Sequence, residues 1–269
     1  AVSNSLLKQN YSVKNINVTK GREWLENGIV RDSEQALSGI DVVFIAMHGE
    51  YSEDGEIQKI LQRMNLPFTG SRSLPSAIAF NKKLTKETLS TYNILMPKHY
   101  ILKNEDKSLN INSVVSEIQN QFGPEYMIKP IATGSSIGAR MVREGESLEN
   151  AISEALLEND VLIIEEFIRG KEGSCAVLEN FRGENIYSFP TAELVYPSHF
   201  QFFTKEAKYS GATQIICPSR FSYDERSIVE DVSIKVHEAL GLAQYSRSDF
   251  IIRNGVAYFL EVNSLPGLT

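Results

Sequence analysis

Apolar and polar positions along this chain follow two rhythms, period two and period 3.6, and the order in which they alternate predicts its elements. Val2, Leu6 and Leu7 share a helical stripe, and the alternation over 11–18 that follows is strand-like. Residues 41–47 form an apolar run of buried-strand length. Helical spacing returns over 56–65 through Ile57, Ile60, Leu61 and Met64, and 66–70 is again strand-like. Strand, helix and strand in that order make a crossover, which implies a parallel sheet. A unit of this kind opens on a strand, whereas this chain opens on a helix and stops in a loop. A short segment is therefore expected to be lacking at each end.

A helix over 82–91, closed by Asn93 and Pro97, marks entry to a new unit. Helix at 111–122, strands at 126–130 and 139–143, helix at 147–157 and strand at 161–168 describe a small α+β lobe. Strands at 174–179 and 186–190, a long polar and aromatic loop over 196–213, a helix at 223–240 and a terminal hairpin complete the pattern. The expected fold class is α/β followed by α+β, in three units: 1–80, 81–168 and 169–269. No internal repeat or low-complexity linker interrupts them.

The hairpin over 247–263 carries an acid on each arm, Asp249 and Glu261, among Phe, Ile, Tyr and Val. A carboxylate left unpaired in a buried sheet costs on the order of several kcal/mol, so a cation is expected to meet them. Asp249, Glu261 and Asn263 are oxygen donors of the kind Mg²⁺ takes, commonly together with phosphates. Alternation imposes a condition. A strict two-residue turn at Asn254-Gly255 pairs Arg253 with Val256 and puts the two acids on opposite faces, whereas a three-residue loop or a bulge brings them to one face. Two solvated acids on separate faces remain the plain alternative.

Composition narrows the partners. The chain has 269 residues, 42% apolar and 23% charged, with a net charge of −7. That is ordinary for a soluble globular protein, and the acidic balance (pI about 5.3) gives no footprint for nucleic acid. No apolar run is long enough to span a membrane and no start resembles a signal peptide, so a cytoplasmic location is expected. Cys175 and Cys217 sit in apolar stretches without metal or redox spacing, and both are expected to be buried free thiols.

Further candidate chemistry lies where units join. Strand 126–130 ends on Lys129-Pro130 and leads into the small-residue loop 133–138, whose backbone N–H groups could close on phosphate oxygens while Lys129 supplies charge. A Gly-Ser turn explains the loop equally well, because this is not the P-loop spacing. Lys82 could be a second phosphate contact or a solvated helix lysine. The 161–168 strand turns acidic at Glu165-Glu166 and then apolar at Phe167-Ile168, an edge that could offer backbone groups to adenine, with Glu172 placed to accept from ribose hydroxyls. A strand end exposing two acids is the alternative. Lys208-Tyr209 put a cation and an aromatic in a loop of lid-like length.

Taken together, these motifs resemble the D-alanine:D-alanine ligases of the ATP-grasp superfamily over nearly the whole chain. The resemblance rests on His48-Gly49 with 53–58, on 67–70, on Lys129-Pro130 with 134–138, on Lys208-Tyr209, and above all on Arg247-Ser248-Asp249 with 261–267. It implies a three-domain architecture with a parallel-sheet N-terminal domain and ATP held between the central and C-terminal domains. It implies that Lys82, Lys129 and Lys208 attend the nucleotide, that Ser135 and Ser136 cover its phosphates, that Glu165, Glu166, Phe167 and Ile168 read adenine, and that Glu172 holds the ribose. Asp249, Glu261 and Asn263 resemble the ligands of two Mg²⁺ ions, for which Mn²⁺ could substitute. Arg247 and the Gly267 N–H resemble the oxyanion partners, Tyr209 and Ser135 lie on loops that close over the reaction, and His48 faces the first amino acid. The implied partners are ATP, D-alanine and a second copy of the chain, since the family is commonly dimeric. Asn81 stands where the family usually has Asp, and Ser52 and Lys59 replace common glycines.

Overall fold

Three sheets, each with its own buried side chains, organise the chain in a computed structural model that describes residues 2–104, 110–133, 137–197 and 213–267. Helix α1 (Val2–Lys8) leads into an antiparallel meander of β1 (Ile16–Val18), β2 (Trp24–Glu26) and β3 (Ile29–Arg31), followed by the short α2 (Ser33–Ala36). The predicted crossover is present, with α3 (Glu56–Arg63) between its two arms. Its parallel contact is a single bridge, Val43 to Phe68, held by Val43 N to Pro67 O at 2.9 Å and Thr69 N to Val43 O at 3.0 Å. Among the described residues the 41–47 segment has no strand on its other side, so it is not the buried strand its apolar run suggests: Val42 is exposed. Trp24, Ile45, Tyr51, Ile57 and Leu61 form this unit's core, and Leu265 from the far end of the chain is buried among them.

The α+β lobe matches its predicted elements closely. Strands β4 (His99–Lys103), β5 (Tyr126–Pro130), β6 (Arg140–Val142) and β7 (Val161–Glu166) form an antiparallel sheet in the order β4-β7-β5-β6. Helices α6 (Ile111–Gln121) and α7 (Leu148–Leu156) cover one face, their apolar stripes meeting Ile128, Leu162 and Ile164. Both begin at side-chain caps, Asn110 and Ser147, which accept from the backbone N–H three residues on. Strand β4 was not expected; it is a five-residue run too short to signal itself.

The third sheet runs β11-β10-β8-β12-β13, with β9 (Glu184–Ser188) paired to β8 (Lys171–Phe181). Strands β10 (Ala192–Val195) and β11 (Gln214–Ile216) flank the 198–212 stretch, which lies outside the described residues. Helix α8 (Tyr223–Ala239) starts from a capping box, Ser222 with Glu225, and packs Val229 and Val236 against Phe250 and Phe259. Two helices before the lobe, α4 (Ser73–Phe80) and α5 (Lys82–Leu89), contribute Ala79 and Leu89 to this same core. Helix α4 escaped the sequence reading because it is apolar on several sides and shows no 3.6-residue stripe. Of the two thiols, Cys175 is buried and Cys217 exposed, correcting the expectation for the second; Cys217 follows the exposed strand β11.

Strands β12 (Tyr245–Arg253) and β13 (Val256–Asn263) join through a tight two-residue turn in which Asn254 and Gly255 both have positive φ, 52° and 77°. That is the primed turn whose twist suits a hairpin. Arg253 therefore pairs with Val256, yet Asp249 pairs with Glu261, because the register shifts between Phe250, opposite Phe259, and Asp249. Leu260 is the extra residue. Burial alternates without break along β12 but stalls at Leu260 and Glu261 in β13, as a bulge requires.

Phe250 and Phe259 are fully buried and meet edge to face at 5.9 Å between centroids. Phe259→Ala should lower unfolding free energy by about 3–5 kcal/mol, as cavities from large aromatic side chains do. Urea denaturation followed by circular dichroism measures this.

Candidate active site

The bulge gives the C-terminal sheet one apolar and one polar face. Phe250, Ile252, Ala257, Phe259 and Val262 turn to the core, while Arg247, Asp249, Glu261 and Asn263 turn the other way. Cross-strand pairing stacks them in rows: Arg247 is opposite Asn263, and Asp249 is opposite Glu261 on one side and Ser174 on the other. One row further along, Glu172 lies opposite Ile251, on the same face. Arg247 holds Asp249 with two parallel bonds, Nε to Oδ1 at 2.8 Å and a terminal nitrogen to Oδ2 at 2.9 Å, and Asn263 Nδ2 donates to Oδ2 at 3.1 Å. Asp249 and its further acidic neighbours Glu261 and Glu53 hold the Arg247 guanidinium firmly in its charged form.

Negative charge is in excess on this face. Burial, then the neighbouring charges of Asp249 and Glu261, push the Glu172 carboxyl up to about 8, against a hydrogen bond from the Tyr196 hydroxyl that works the other way. Glu53, after the 48–52 turn of the N-terminal unit, is raised for the same reasons, burial first, with Glu261 adding to it. A site whose acids resist ionising together is suited to a divalent cation. Asp249, Glu261 and Asn263 supply the hard oxygen donors such an ion takes, and the three bonds on Asp249 leave acceptor capacity on its carboxylate. Among the described residues there is no group of three His, Cys, Asp or Glu placed to hold a metal, and the Asn263 amide oxygen is the candidate for a third protein donor.

Lysines face the acids from two other elements. Lys82 opens α5 after the Asn81 cap; its Nζ donates to Thr133 O at 2.9 Å and lies 3.5 Å from Glu261 Oε2. Its backbone N–H is tied to Ile131 O at 2.8 Å, which joins the start of α5 to the loop after β5. Lys129 points from β5 to Glu165 in β7, Nζ to Oε2 at 2.6 Å, and Lys86 of α5 meets the other oxygen of Glu165 at 2.8 Å. Both lysines hold the Glu165 carboxyl far below the usual carboxylate range despite its burial. A narrow crevice lined by Glu53, Lys82, Thr133, Glu261, Asn263 and Ser264 runs between these groups. A broader depression near Gln62, Phe68 and Gln244 contains none of them.

The remaining expected residues fall around this crevice or outside the described part. His48 Nδ1 lies 3.1 Å from Leu265 O and 3.7 Å from Glu53, beside the 264–267 loop that ends at Gly267. The backbone N–H groups of Glu166 and Phe167 are engaged by Lys98 O and Glu125 O, at 2.9 and 3.0 Å. Among the described residues no backbone acceptor meets the N–H of Ile168. Ser135 and Ser136, and Lys208 and Tyr209, lie outside the described residues. Three residues of the site were given no role from the sequence. Lys86 carried a usable signal, its four-residue spacing from Lys82, which puts both on one helix face. Glu53 stood in the 53–58 motif without a role of its own and Tyr196 carried no signal, since their neighbours come from other units.

Comparison with known proteins points to one family. A family model described as D-ala D-ala ligase C-terminus matches residues 88–269, and one described as D-ala D-ala ligase N-terminus matches 4–71. A D-alanine–D-alanine ligase of Carboxydothermus hydrogenoformans is 35% identical over 272 residues, covering 100% of this chain and 82% of the relative. One from Flavobacterium psychrophilum is 35% identical over 233 residues, 87% of this chain and 68% of the relative. Among solved structures, the D-alanine–D-alanine ligase of Bacillus anthracis superposes with a TM-score of 0.72 at 26% identity, covering 90% of this chain and 76% of that one. The VanG D-Ala:D-Ser ligase of Enterococcus faecalis gives 0.74 at 27% identity over 100% of this chain and 75% of that one.

The raised Glu172 has a measurable consequence. Its folded-state value, about 8, exceeds the ordinary 4.5, so between these values folding takes up a proton and stability falls as pH rises. Without divalent cations, unfolding free energy should drop by roughly 4 kcal/mol from pH 5 to pH 9 on account of this group, and Glu172→Gln should remove that part of the slope. Urea melts of both proteins at the two pH values decide it.

Proposed function

The chain belongs to the D-alanine–D-alanine ligase family, and on that premise we propose that the crevice between units 81–168 and 169–269 joins two D-alanine molecules at the expense of ATP, making a precursor of peptidoglycan. The observation that carries this reading is the bulge-set pairing of Asp249 with Glu261, beside Arg247 and facing Lys82. It brings together oxygen donors suited to a metal, a guanidinium suited to an oxyanion and an ammonium suited to phosphate. The fold is the ATP-grasp fold of the family.

A carboxylate is a poor electrophile, so the first step transfers the γ-phosphoryl group of ATP to the carboxylate of one D-alanine. Lys82 and Lys129 neutralise charge on the polyphosphate as it shifts. Mg²⁺, held by Asp249, Glu261 and Asn263, would supply Lewis acidity to the phosphate oxygens. The amine of the second D-alanine then attacks the acyl phosphate, and Arg247 with the Gly267 N–H meets the tetrahedral oxyanion before phosphate leaves. Arg247 is already oriented for this by its two bonds to Asp249. His48 attends the first amino acid. Ile168 with the Glu166 and Phe167 backbone takes adenine, Glu165 lies behind it, and Glu172 takes the ribose. The roles of Ser135, Ser136, Lys208 and Tyr209 rest on the sequence resemblance. No helix among the described residues is long and apolar enough to cross a membrane.

The likeness to a D-Ala:D-Ser ligase makes the second substrate the finer question. The complete protein should release phosphate from ATP in a D-alanine-dependent manner, with D-alanine preferred over D-serine and D-lactate as the second substrate. Normal ATP binding with no such release sinks the proposal. Arg247→Ala should lower kcat by about 10²–10³, the usual cost of an oxyanion donor. Coupled phosphate-release kinetics read both, and sedimentation equilibrium reads the expected homodimer.

A further inference from the structure

Helix α5 presents two lysines one turn apart to two different tasks. Lys82 reaches the crevice, whereas Lys86 is 2% exposed and ends on Glu165. Glu165 is itself 2% exposed and has a lysine on each oxygen: Lys129 from β5 at 2.6 Å, aligned as a hydrogen bond, and Lys86 at 2.8 Å without that alignment. Among the described residues Glu165 is the ionic partner of Lys86. One carboxylate thus serves two cations, one from the lobe and one from a helix packed on the C-terminal core.

The two lysines differ in surroundings. Lys129 also feels the site acids Glu261 and Glu172. Lys86 is enclosed more tightly, with 2% of its side chain exposed against 18% for Lys129. An ammonium at 2.6 Å from a buried carboxylate weakens that pair as it moves toward a phosphate, and a buried carboxylate left with no cation is strongly disfavoured. His99, paired with Glu165 across β4 and β7, offers no replacement: burial, then the charge of Lys86, keep its imidazole neutral.

We propose that Lys86 is a positioning residue for ATP binding, a buried counter-charge that keeps Glu165 neutralised when Lys129 turns from it to the polyphosphate of ATP. The inference rests on the functional reading above, in which Lys129 is a nucleotide lysine. Lys86 touches neither substrate nor nucleotide, and its effect passes through Glu165 to Lys129. With Lys86 absent, Lys129 becomes the sole partner of a buried acid and binds nucleotide at the expense of stranding it.

The test uses the complete protein with Mg²⁺ present. Lys86→Met should raise the Kd and KM for ATP by at least about tenfold, while kcat at saturating ATP stays within about threefold and KM for D-alanine is unchanged. Lys86→Arg, which keeps the charge, should bind ATP like the wild type. Glu165→Gln removes the acid that would be stranded, so adding Lys86→Met to Glu165→Gln should leave the ATP Kd at the value of Glu165→Gln alone. Lys86→Gln, neutral but still a donor, carries the same expectation as Lys86→Met if that variant fails to fold. Wild-type ATP affinity in the neutral variants, whatever their melting temperature, overturns the proposal, as does a double variant that binds ATP tenfold more weakly than Glu165→Gln alone. A wild-type protein that binds no ATP would overturn the functional reading, and this inference with it.

Discussion

Leu260 is one residue more than the β12 to β13 pairing has room for, and the polar face of the C-terminal sheet depends on it. Without that bulge the tight Asn254-Gly255 turn would place Asp249 opposite Leu260, and one of the two acids would turn into the Phe250 and Phe259 core. A one-residue slip in a sheet exchanges its faces. With it, Phe259 and Val262, three residues apart, both reach the core while Glu261 between them joins Asp249. The same displacement aligns Arg247 with Asn263, so oxyanion, metal and amide groups inherit their positions from one backbone irregularity.

Charge placement then divides the protein into two regimes. Around Asp249, Glu261, Glu172 and Glu53 the carboxylates outnumber nearby cations, and burial makes their mutual repulsion costly, which prepares this face for incoming positive charge. Around Glu165 the balance is reversed, with two ammonium groups on one carboxylate. ATP carries negative charge and arrives with metal. A groove bordered by one acid-rich and one lysine-rich wall suits that pair of ligands better than a uniformly basic pocket would, and it is compatible with the overall charge of −7.

The units are locked together by short polar contacts near this groove. Lys82 ties α5 to the loop after β5, His48 meets the carbonyl of Leu265, and the Leu265 side chain is buried in the N-terminal core, where a methyl group on Gly70 would collide with it. Gly70 also has a φ of 92°, a conformation that glycine adopts at little cost. Residues distant in sequence are therefore held at one junction by contacts that each involve the backbone.

What the chain determined by itself was its local rhythm and its rarest motifs. The 3.6-residue stripes of α3, α6, α7 and α8, the apolar runs of β5 and β7 and the alternation in β12 depend on neighbours within a turn or two, so they are legible in order. The Arg-x-Asp and Glu-x-Asn pairs were legible for the same reason, as was the need for a bulge or a longer loop, since two acids and an apolar face cannot otherwise coexist. Tertiary structure decided which of those two solutions was used, because a tight turn and a bulge satisfy the same pattern. It also decided what long-range electrostatics alone can: that Glu165 is shared by Lys86 and Lys129, that Glu53 and Tyr196 belong to the site, and that Val43 and Phe68 meet in one bridge. Burial and Coulomb energy depend on which segments meet in space, and the spacing of residues along the chain does not carry that information.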